Sequence, residues 1–287
     1  MRMSDIETRR FAAHGLTLVG DVGGPEGAPV VVLLHGGGQT RHSWAGTMQR
    51  LIAQGYRVIN LDARGHGESD WAPNGSYRLS DMAQDLRMVL DTVERPIALV
   101  GASMGGMTAF HAIGSSDRPI ADALVMVDIV LKPAEAGAKR IQAFMRAYPD
   151  GFASVEEAAD AVSTYYPERP RPKDVSGLRK NLRLREDGRF RWHWDPRILD
   201  MGQRAEPPGP FETLAMLASK VTLPTLLVRG GKSDIVDDAG VAEMVRLVPQ
   251  TEIFDVPGAG HMVAGDMNDP FSAGMIAFLE RHLPTGG

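Results

Sequence analysis

Cysteine is absent from this 287-residue sequence. Its absence excludes a disulfide framework, a cysteine-ligated zinc site and a thiol nucleophile. Long hydrophobic runs are missing too, since no apolar stretch approaches the roughly 18–20 residues that a membrane span requires. The N-terminal residues also lack an apolar stretch of signal-peptide length. We therefore expect a cytoplasmic protein with no membrane partner.

Positive charge is in the minority, because 31 Lys and Arg residues face 36 Asp and Glu residues, giving a formal net charge of −5. Nucleic-acid binding calls for a basic face, so this balance argues against such a partner. The sequence contains no His-Glu-x-x-His and no Walker A run. We therefore expect neither a metal nor a cofactor. The composition leaves the oligomeric state open.

Strand and helix patterns alternate along most of the chain. Apolar β-branched runs such as residues 29–34 are typical of parallel strands covered on both faces. Such alternation predicts an α/β fold: a mostly parallel, eight-stranded sheet flanked by helices. The alternation lapses between residues 131 and 221. We expect residues 1–130 and 222–287 to form the core and residues 131–221 a mainly helical lid, or cap, inserted after the sixth strand.

The predicted lid has recognisable parts. Residues 134–147 and 155–165 have helical patterns, and a proline-rich stretch follows them. The Asp-Gly pair at residues 187–188 predicts a hairpin turn. The insertion point lies at the carboxyl edge of the strands, where binding sites of open α/β sheets are found.

Residues 101–105 read Gly-Ala-Ser-Met-Gly and match the G-x-S-x-G motif. An apolar strand precedes them and a helix of small residues follows, which is the context of a nucleophile elbow. So tight a turn strains the serine backbone and needs nearly side-chain-free neighbours. The motif predicts that the Ser103 hydroxyl projects at the carboxyl edge of the sheet.

A serine hydroxyl needs a base to take its proton and a carboxylate to orient that base. The order Ser, Asp, His along the chain is the one expected for this elbow. Ser103, Asp234 and His261 fit this order, the last two on loops after the final two strands, and Asp234 lies in a Gly-Gly-Lys-Ser-Asp loop directly after its strand. Asp128, which ends the strand before the lid, is the alternative acid.

Four segments carry a resemblance to the α/β-hydrolase fold superfamily. They are residues 35–38 (His-Gly-Gly-Gly) with the following 42–44, residues 62–69, the elbow, and Asp234 with His261. The chain is most similar to the branch of small lid-bearing serine esterases and haloperoxidase-like perhydrolases. The resemblance implies that Ser103 is the nucleophile, His261 the general base and then acid, and Asp234 the orienting acid.

The resemblance also implies an oxyanion hole built from the backbone N–H groups of Met104 and Gly37. Several relatives carry a bulky residue and a proline after His-Gly, whereas this chain has Gly-Gly-Gln. This departure leaves open whether Gly37 or Gly38 supplies the second amide. The predicted substrate-binding residues are Gly38, Trp192, Trp194 and Met262. We expect His35 and His66 to be structural.

These residues predict a serine hydrolase that cleaves carboxylic esters or lactones through an acyl-serine intermediate. Its partner is then a small-molecule ester or a related carbonyl compound. Hydrolysis of a C–C bond in a diketone, or cofactor-free perhydrolysis, is the alternative and uses the same three residues. A ligand-binding sensor on a hydrolase scaffold is the alternative outside enzymes. Epoxide hydrolase and haloalkane dehalogenase chemistry is disfavoured, because it needs a carboxylate nucleophile.

Overall fold

An eight-stranded sheet organises the molecule. The computed structural model describes residues 6–165, 171–200, 208–260 and 269–286. The strands of the sheet are β1 (Glu7–Ala13), β2 (Leu16–Gly23), β3 (Val30–Leu34), β4 (Arg57–Leu61), β5 (Ile97–Ala102), β6 (Ala123–Val127), β9 (Thr225–Gly230) and β10 (Thr251–Val256). Their order across the sheet is β1-β2-β4-β3-β5-β6-β9-β10. The strands β7 (Leu182–Leu184) and β8 (Phe190–Trp192) form a separate hairpin.

The sheet is mostly parallel, as the alternating sequence pattern predicts. β1 and β2 are antiparallel to each other, and β2 is antiparallel to β4. Every other neighbouring pair in this sheet is parallel. The central strands β3, β5 and β6 are buried along their whole length. Their carboxyl ends therefore meet at one edge of a rigid platform.

Successive residues of β3 belong to cores on opposite faces of the sheet. Val30 and Val32 lie in one apolar cluster, and Val31 and Leu33 lie in the other. This alternation follows from the two-residue period of a strand. Full burial of each such side chain contributes about 1.5–3 kcal/mol. The sheet is thus fixed from both sides.

Eight α-helices lie in the described ranges. They are α1 (Ala45–Ala53), α2 (Leu79–Leu90), α3 (Met104–Gly114), α4 (Glu135–Arg146), α5 (Val155–Tyr165), α6 (Pro210–Leu217), α7 (Asp238–Leu247) and α8 (Asp269–His282). Side chains of α2, α3 and α7 join the first apolar cluster, whereas those of α1 and α8 join the second. In these ranges, no helix has the length and hydropathy that crossing a bilayer would require.

Residues 131–221, called the insertion below, separate β6 from β9. They contain α4, α5, α6 and the two-stranded antiparallel hairpin β7–β8. The hairpin turns at Asp187 and Gly188, as predicted, with Gly188 at φ 75°. The insertion is helical over α4 and α5, but the hairpin and short 3-10 helices make up much of its second half.

Candidate active site

Ser103 sits between β5 and α3 in a strained backbone conformation. Its φ is 46° and its ψ is −113°, values that a residue with a side chain rarely adopts. The Ser103 N–H donates to the Val127 carbonyl at 3.0 Å, and the Ser103 carbonyl accepts from the Met107 N–H at 3.0 Å. These bonds hold the turn in place, because such strain persists only where the surroundings over-determine it.

The glycines around Ser103 are required by close backbone approach. A Cβ on Gly101 would lie 2.4 Å from the carbonyl carbon of Gly105, and one on Gly105 would lie 2.3 Å from the carbonyl oxygen of Leu34. One on Gly106 would lie 2.8 Å from the carbonyl oxygen of Gly101. Strand and helix can pass this closely only where these residues have no side chain, which is why the motif requires glycine there.

Two backbone amides are available beside Ser103. Met104 is the first residue of α3, so its N–H has no acceptor one turn earlier in the helix and lies at the positive end of the helix dipole. Gly37 faces Met104, since a Cβ on Gly37 would lie 3.9 Å from the Met104 sulfur. Both residues border the same cavity as Ser103.

Hydrogen bonding separates Gly37 from its two neighbours. The Gly36 N–H donates to Gln39 Oε1 at 3.0 Å, and the Gly38 N–H donates to His66 Nε2 at 3.1 Å. No acceptor for the Gly37 N–H lies among the residues that the structure describes. The sequence left open whether Gly37 or Gly38 supplies the second oxyanion amide. Because the Gly38 N–H already has an acceptor, the hydrogen bonding favours Gly37.

Asp128 is wholly buried beyond the carboxyl end of β6, with φ at 49°. Ala102 pairs with Val127 across β5 and β6, so Ser103 and Asp128 follow directly on neighbouring strands. Asp128 Oδ1 accepts from the Gly230 N–H at 2.9 Å, and Oδ2 accepts from the Ser233 hydroxyl at 2.6 Å. The carboxylate is thus held by directed donors at the same sheet edge as Ser103.

Asp234 has a different environment. Its side chain is 39% exposed, and Oδ2 accepts from Arg140 Nη1 of α4 at 3.1 Å. The backbone carbonyl of Asp234 contacts Gly137 so closely that a Cβ there would lie 2.2 Å away. Asp234 therefore ties the loop after β9 to the insertion. His261 and Met262 lie outside the described residues.

A cavity of about 1430 Å³ opens over Ser103, Met104 and Gly37. It exceeds the roughly 300–1,000 Å³ of most small-molecule pockets. Three of the predicted substrate-binding residues, Gly38, Trp192 and Trp194, line it. Further apolar lining comes from the core through Met82, Met107 and Ile129, and from the insertion through Ile141, Phe144, Met145, Val162, Leu178, Ile198 and Leu199.

Part of this lining has a signal in the sequence that the predicted substrate-binding residues do not include. Ile141, Phe144 and Met145 have the i, i+3, i+4 spacing of one helix face on α4. None of the three is fully buried in a core, yet all three border the cavity. An apolar stripe on an otherwise polar insertion helix thus indicates a pocket wall.

Three buried histidines lie behind the loop of residues 35–38. The ring centroids of His35 and His66 are 5.0 Å apart, and those of His66 and His193 are 5.8 Å apart. Burial lowers the pKa of His35, and lowers that of His66 to about 3 and that of His193 to about 2. All three are therefore neutral near pH 7. Within the described ranges, no three His, Asp or Glu side chains are grouped as metal ligands.

Comparisons with known proteins identify the family. The alpha/beta hydrolase fold family model matches residues 29–266. The sn-1-specific diacylglycerol lipase ABHD11 of Mus musculus is 30% identical over 263 residues, covering 88% of this chain and 81% of that protein. Esterase Rv0045c of Mycobacterium tuberculosis is 30% identical over 251 residues, covering 83% of this chain and 78% of that protein.

A solved structure extends the match to the whole fold. An alpha/beta hydrolase from Novosphingobium aromaticivorans superimposes with a TM-score of 0.80 at 25% identity, covering 97% of this chain and 99% of that chain. The protein therefore belongs to the α/β-hydrolase fold family, as the resemblance implied, and it is a hydrolase.

Proposed function

We propose that the protein is a serine hydrolase that cleaves carboxylic esters through an acyl intermediate on Ser103. The observation that carries this proposal is Ser103 on a strained turn, beside two amides at Gly37 and Met104. A lipase and an esterase among its relatives support ester substrates.

The reaction follows from the chemistry of these groups. His261 takes the Ser103 proton as Oγ attacks the ester carbonyl, and the tetrahedral intermediate places its oxyanion against the Gly37 and Met104 N–H groups. His261 then donates that proton to the leaving alcohol as the C–O bond breaks. His261 then takes a proton from water, which attacks the acyl-serine carbonyl, and returns that proton to Ser103 Oγ as the acyl C–O bond breaks and the acid leaves. Loss of one oxyanion donor typically lowers kcat by about 10²–10³.

We assign the orienting acid to Asp128 in preference to Asp234. An acid in this role is buried and hydrogen-bonds to the imidazole of the base. Asp128 is buried and held by Gly230 and Ser233, whereas Asp234 is partly exposed and paired with Arg140. The amides of Ile235 and Val236 donate to Ser233 Oγ, which directs its own proton to Asp128. The sequence argument for Asp234 is its place in the Gly-Gly-Lys-Ser-Asp loop directly after β9.

The cavity supports an ester with a sizeable apolar acyl or alcohol group. Apolar side chains from both the core and the insertion surround the space above Ser103. Burial of each CH₂ group contributes about 0.8 kcal/mol, so the lining favours longer alkyl groups over acetate. We propose that the insertion serves as the lid of this pocket. A soluble p-nitrophenyl ester series, from acetate to octanoate, is the natural probe.

The test is hydrolysis of these esters by the wild type and by Ser103→Ala. The wild type is expected to turn them over, and Ser103→Ala to lose activity by a factor of about 10⁴ or more at unchanged thermal stability. Full residual activity in the variant contradicts the proposal. Parallel assays with lactones, diketones and hydrogen peroxide plus acetate compare ester cleavage with C–C hydrolysis and perhydrolysis through kcat/KM. A pure sensor would turn over none of them.

A further inference from the structure

Three histidines from distant parts of the chain converge behind residues 35–38, called the oxyanion loop here. His35 follows β3, His66 belongs to the glycine-rich loop after β4, and His193 follows β8 in the insertion. All three side chains are buried. The proposed reaction uses none of them as acid or base, so their burial together needs another explanation.

Backbone amides fix the proton positions on two of the rings. The Gly38 N–H donates to His66 Nε2, so that nitrogen carries no proton and Nδ1–H donates to the Arg64 carbonyl at 3.0 Å. The Gly67 N–H donates to His193 Nδ1 at 2.7 Å, which leaves Nε2–H directed at the Gly38 carbonyl at 3.4 Å. Gly38 is therefore held by its N–H from the core and by its carbonyl from the insertion.

His35 acts on the peptide group that contains the proposed oxyanion donor. The Ala63 N–H donates to His35 Nε2 at 3.0 Å, so Nδ1–H donates to the Gly36 carbonyl at 2.8 Å. The Gly36 carbonyl and the Gly37 N–H belong to one planar trans peptide and point in opposite directions. The Gly36 carbonyl also accepts from the Gln39 N–H at 3.1 Å. By holding this carbonyl inward, His35 helps to aim the Gly37 N–H outward to the cavity.

We propose that His35, His66 and His193 are positioning residues that orient the Gly37 amide toward the substrate oxyanion. Through His193, the insertion completes the oxyanion hole as well as lining the pocket. The inference rests on the proposed function, since it assigns a role in ester cleavage.

The charged groups that act on these rings are Asp62 and Asp195, which favour their protonation, and Arg41 and Arg183, which oppose it.

Crossed amide substitutions at two of these histidines test the proposal. An Asn side chain places its amide near the former Nδ1, whereas a Gln side chain reaches the former Nε2. At residue 35 the essential donor is Nδ1, so His35→Asn keeps the bond to Gly36 and His35→Gln loses it. At residue 193 the essential donor is Nε2, so the ranking reverses and His193→Gln keeps the bond to Gly38.

We expect kcat of His35→Asn to exceed that of His35→Gln, and kcat of His193→Gln to exceed that of His193→Asn, each by roughly threefold to thirtyfold. This is a fraction of the 10²–10³ for losing the donor itself. KM is expected to change little, and affinity for an alkyl trifluoromethyl ketone, which forms an oxyanion adduct with the serine, to follow the same crossed ranking. If Asn and Gln rank in the same order at both positions, the histidines only fill space and the proposal is wrong.

The tautomers give a second readout that needs no turnover. Long-range ¹H–¹⁵N spectra of the wild type at pH 7 are expected to show His35 and His66 protonated at Nδ1 and His193 at Nε2. An imidazolium, or the opposite tautomer at His35 or His193, overturns the inference. If the tautomers are as expected but the wild-type protein cleaves no ester, the proposed function fails and the positions of the histidine protons stand.

Discussion

The two halves of the insertion differ in how they attach to the core. In the second half, buried Asp195 accepts from the Tyr77 hydroxyl and from Arg197, and its N–H donates to the Gly65 carbonyl at 2.9 Å. In the first half, α4 contacts the loop after β9 through Gly137, which packs on the Asp234 carbonyl, and through the half-exposed Arg140–Asp234 ion pair. The second half is thus anchored by buried side-chain hydrogen bonds, whereas the side-chain ion pair that anchors the first half is half-exposed.

This difference shows where precision is needed. The second half carries His193, Trp192 and Trp194, which contact the oxyanion loop or border the cavity beside it. The first half supplies Ile141, Phe144 and Met145, apolar groups that tolerate small shifts. Groups that position a reacting atom need support within about 0.5 Å, whereas a hydrophobic wall does not. Substrate entry is therefore expected on the side of α4 and α5.

The largest expected effect separates the two candidate acids, one in the core and one paired with α4. Asp128→Asn is expected to lower kcat by about 10⁴, because an amide orients the imidazole in the wrong tautomer. Asp234→Asn, the matched control, is expected to stay within about tenfold of the wild type, since it removes only a partly exposed ion pair. Steady-state ester hydrolysis measures both. The reverse ranking would return the acid to Asp234.

Stability measurements sharpen the comparison further. Asp195→Ala is expected to lower the free energy of unfolding by about 1–3 kcal/mol, because it leaves the buried Tyr77 hydroxyl without its acceptor. Arg140→Gln is expected to change it by less than about 1 kcal/mol, since the pair it breaks is half-exposed. Urea unfolding followed by fluorescence measures both. Equal losses would mean that the halves of the insertion are held equally.

A further expected effect on stability is a pH dependence that comes from the buried histidines. The pKa of His193 is about 2 in the folded chain and about 6.5 when unfolded, so below pH 6.5 the unfolded state binds the proton and the folded state does not. The contribution of neutral His193 to the free energy of unfolding is thus fully present above pH 6.5 and is lost as the pH drops below it. Between pH 7.5 and pH 5.5 the free energy of unfolding of the wild type is expected to decrease by about 1.4 kcal/mol more than that of His193→Asn. Urea unfolding at both pH values gives the difference, and identical slopes for variant and wild type would contradict it.

Sequence reasoning succeeded where the determinants are local. The elbow follows from glycine spacing around Ser103, because backbone contacts between a strand and the next helix depend on a few adjacent residues. The parallel sheet follows from the buried runs of β3, β5 and β6, and the hairpin from Asp187 and Gly188. These are short-range or periodic patterns.

Sequence reasoning failed where hydrogen bonds join residues that are distant along the chain. Gly37 and Gly38 are adjacent glycines in the sequence, and the hydrogen bond from the Gly38 N–H to His66 distinguishes their amides. Asp128 and Asp234 both lie between Ser103 and His261 along the chain, and the donors around Asp128 come from the loop after β9 and are visible only in three dimensions. The grouping of His193 with the oxyanion loop has no local signature at all.

The central claim is that Ser103 is the nucleophile, and covalent labelling tests it most directly. We expect a fluorophosphonate to add one adduct per chain, located by peptide mass spectrometry on Ser103, and to leave Ser103→Ala unlabelled under the same conditions. Fast labelling is expected because the proposed oxyanion amides of Gly37 and Met104 would bind the phosphonyl oxygen in place of the ester oxyanion. An adduct on another residue, or equal labelling of the variant, would contradict the account.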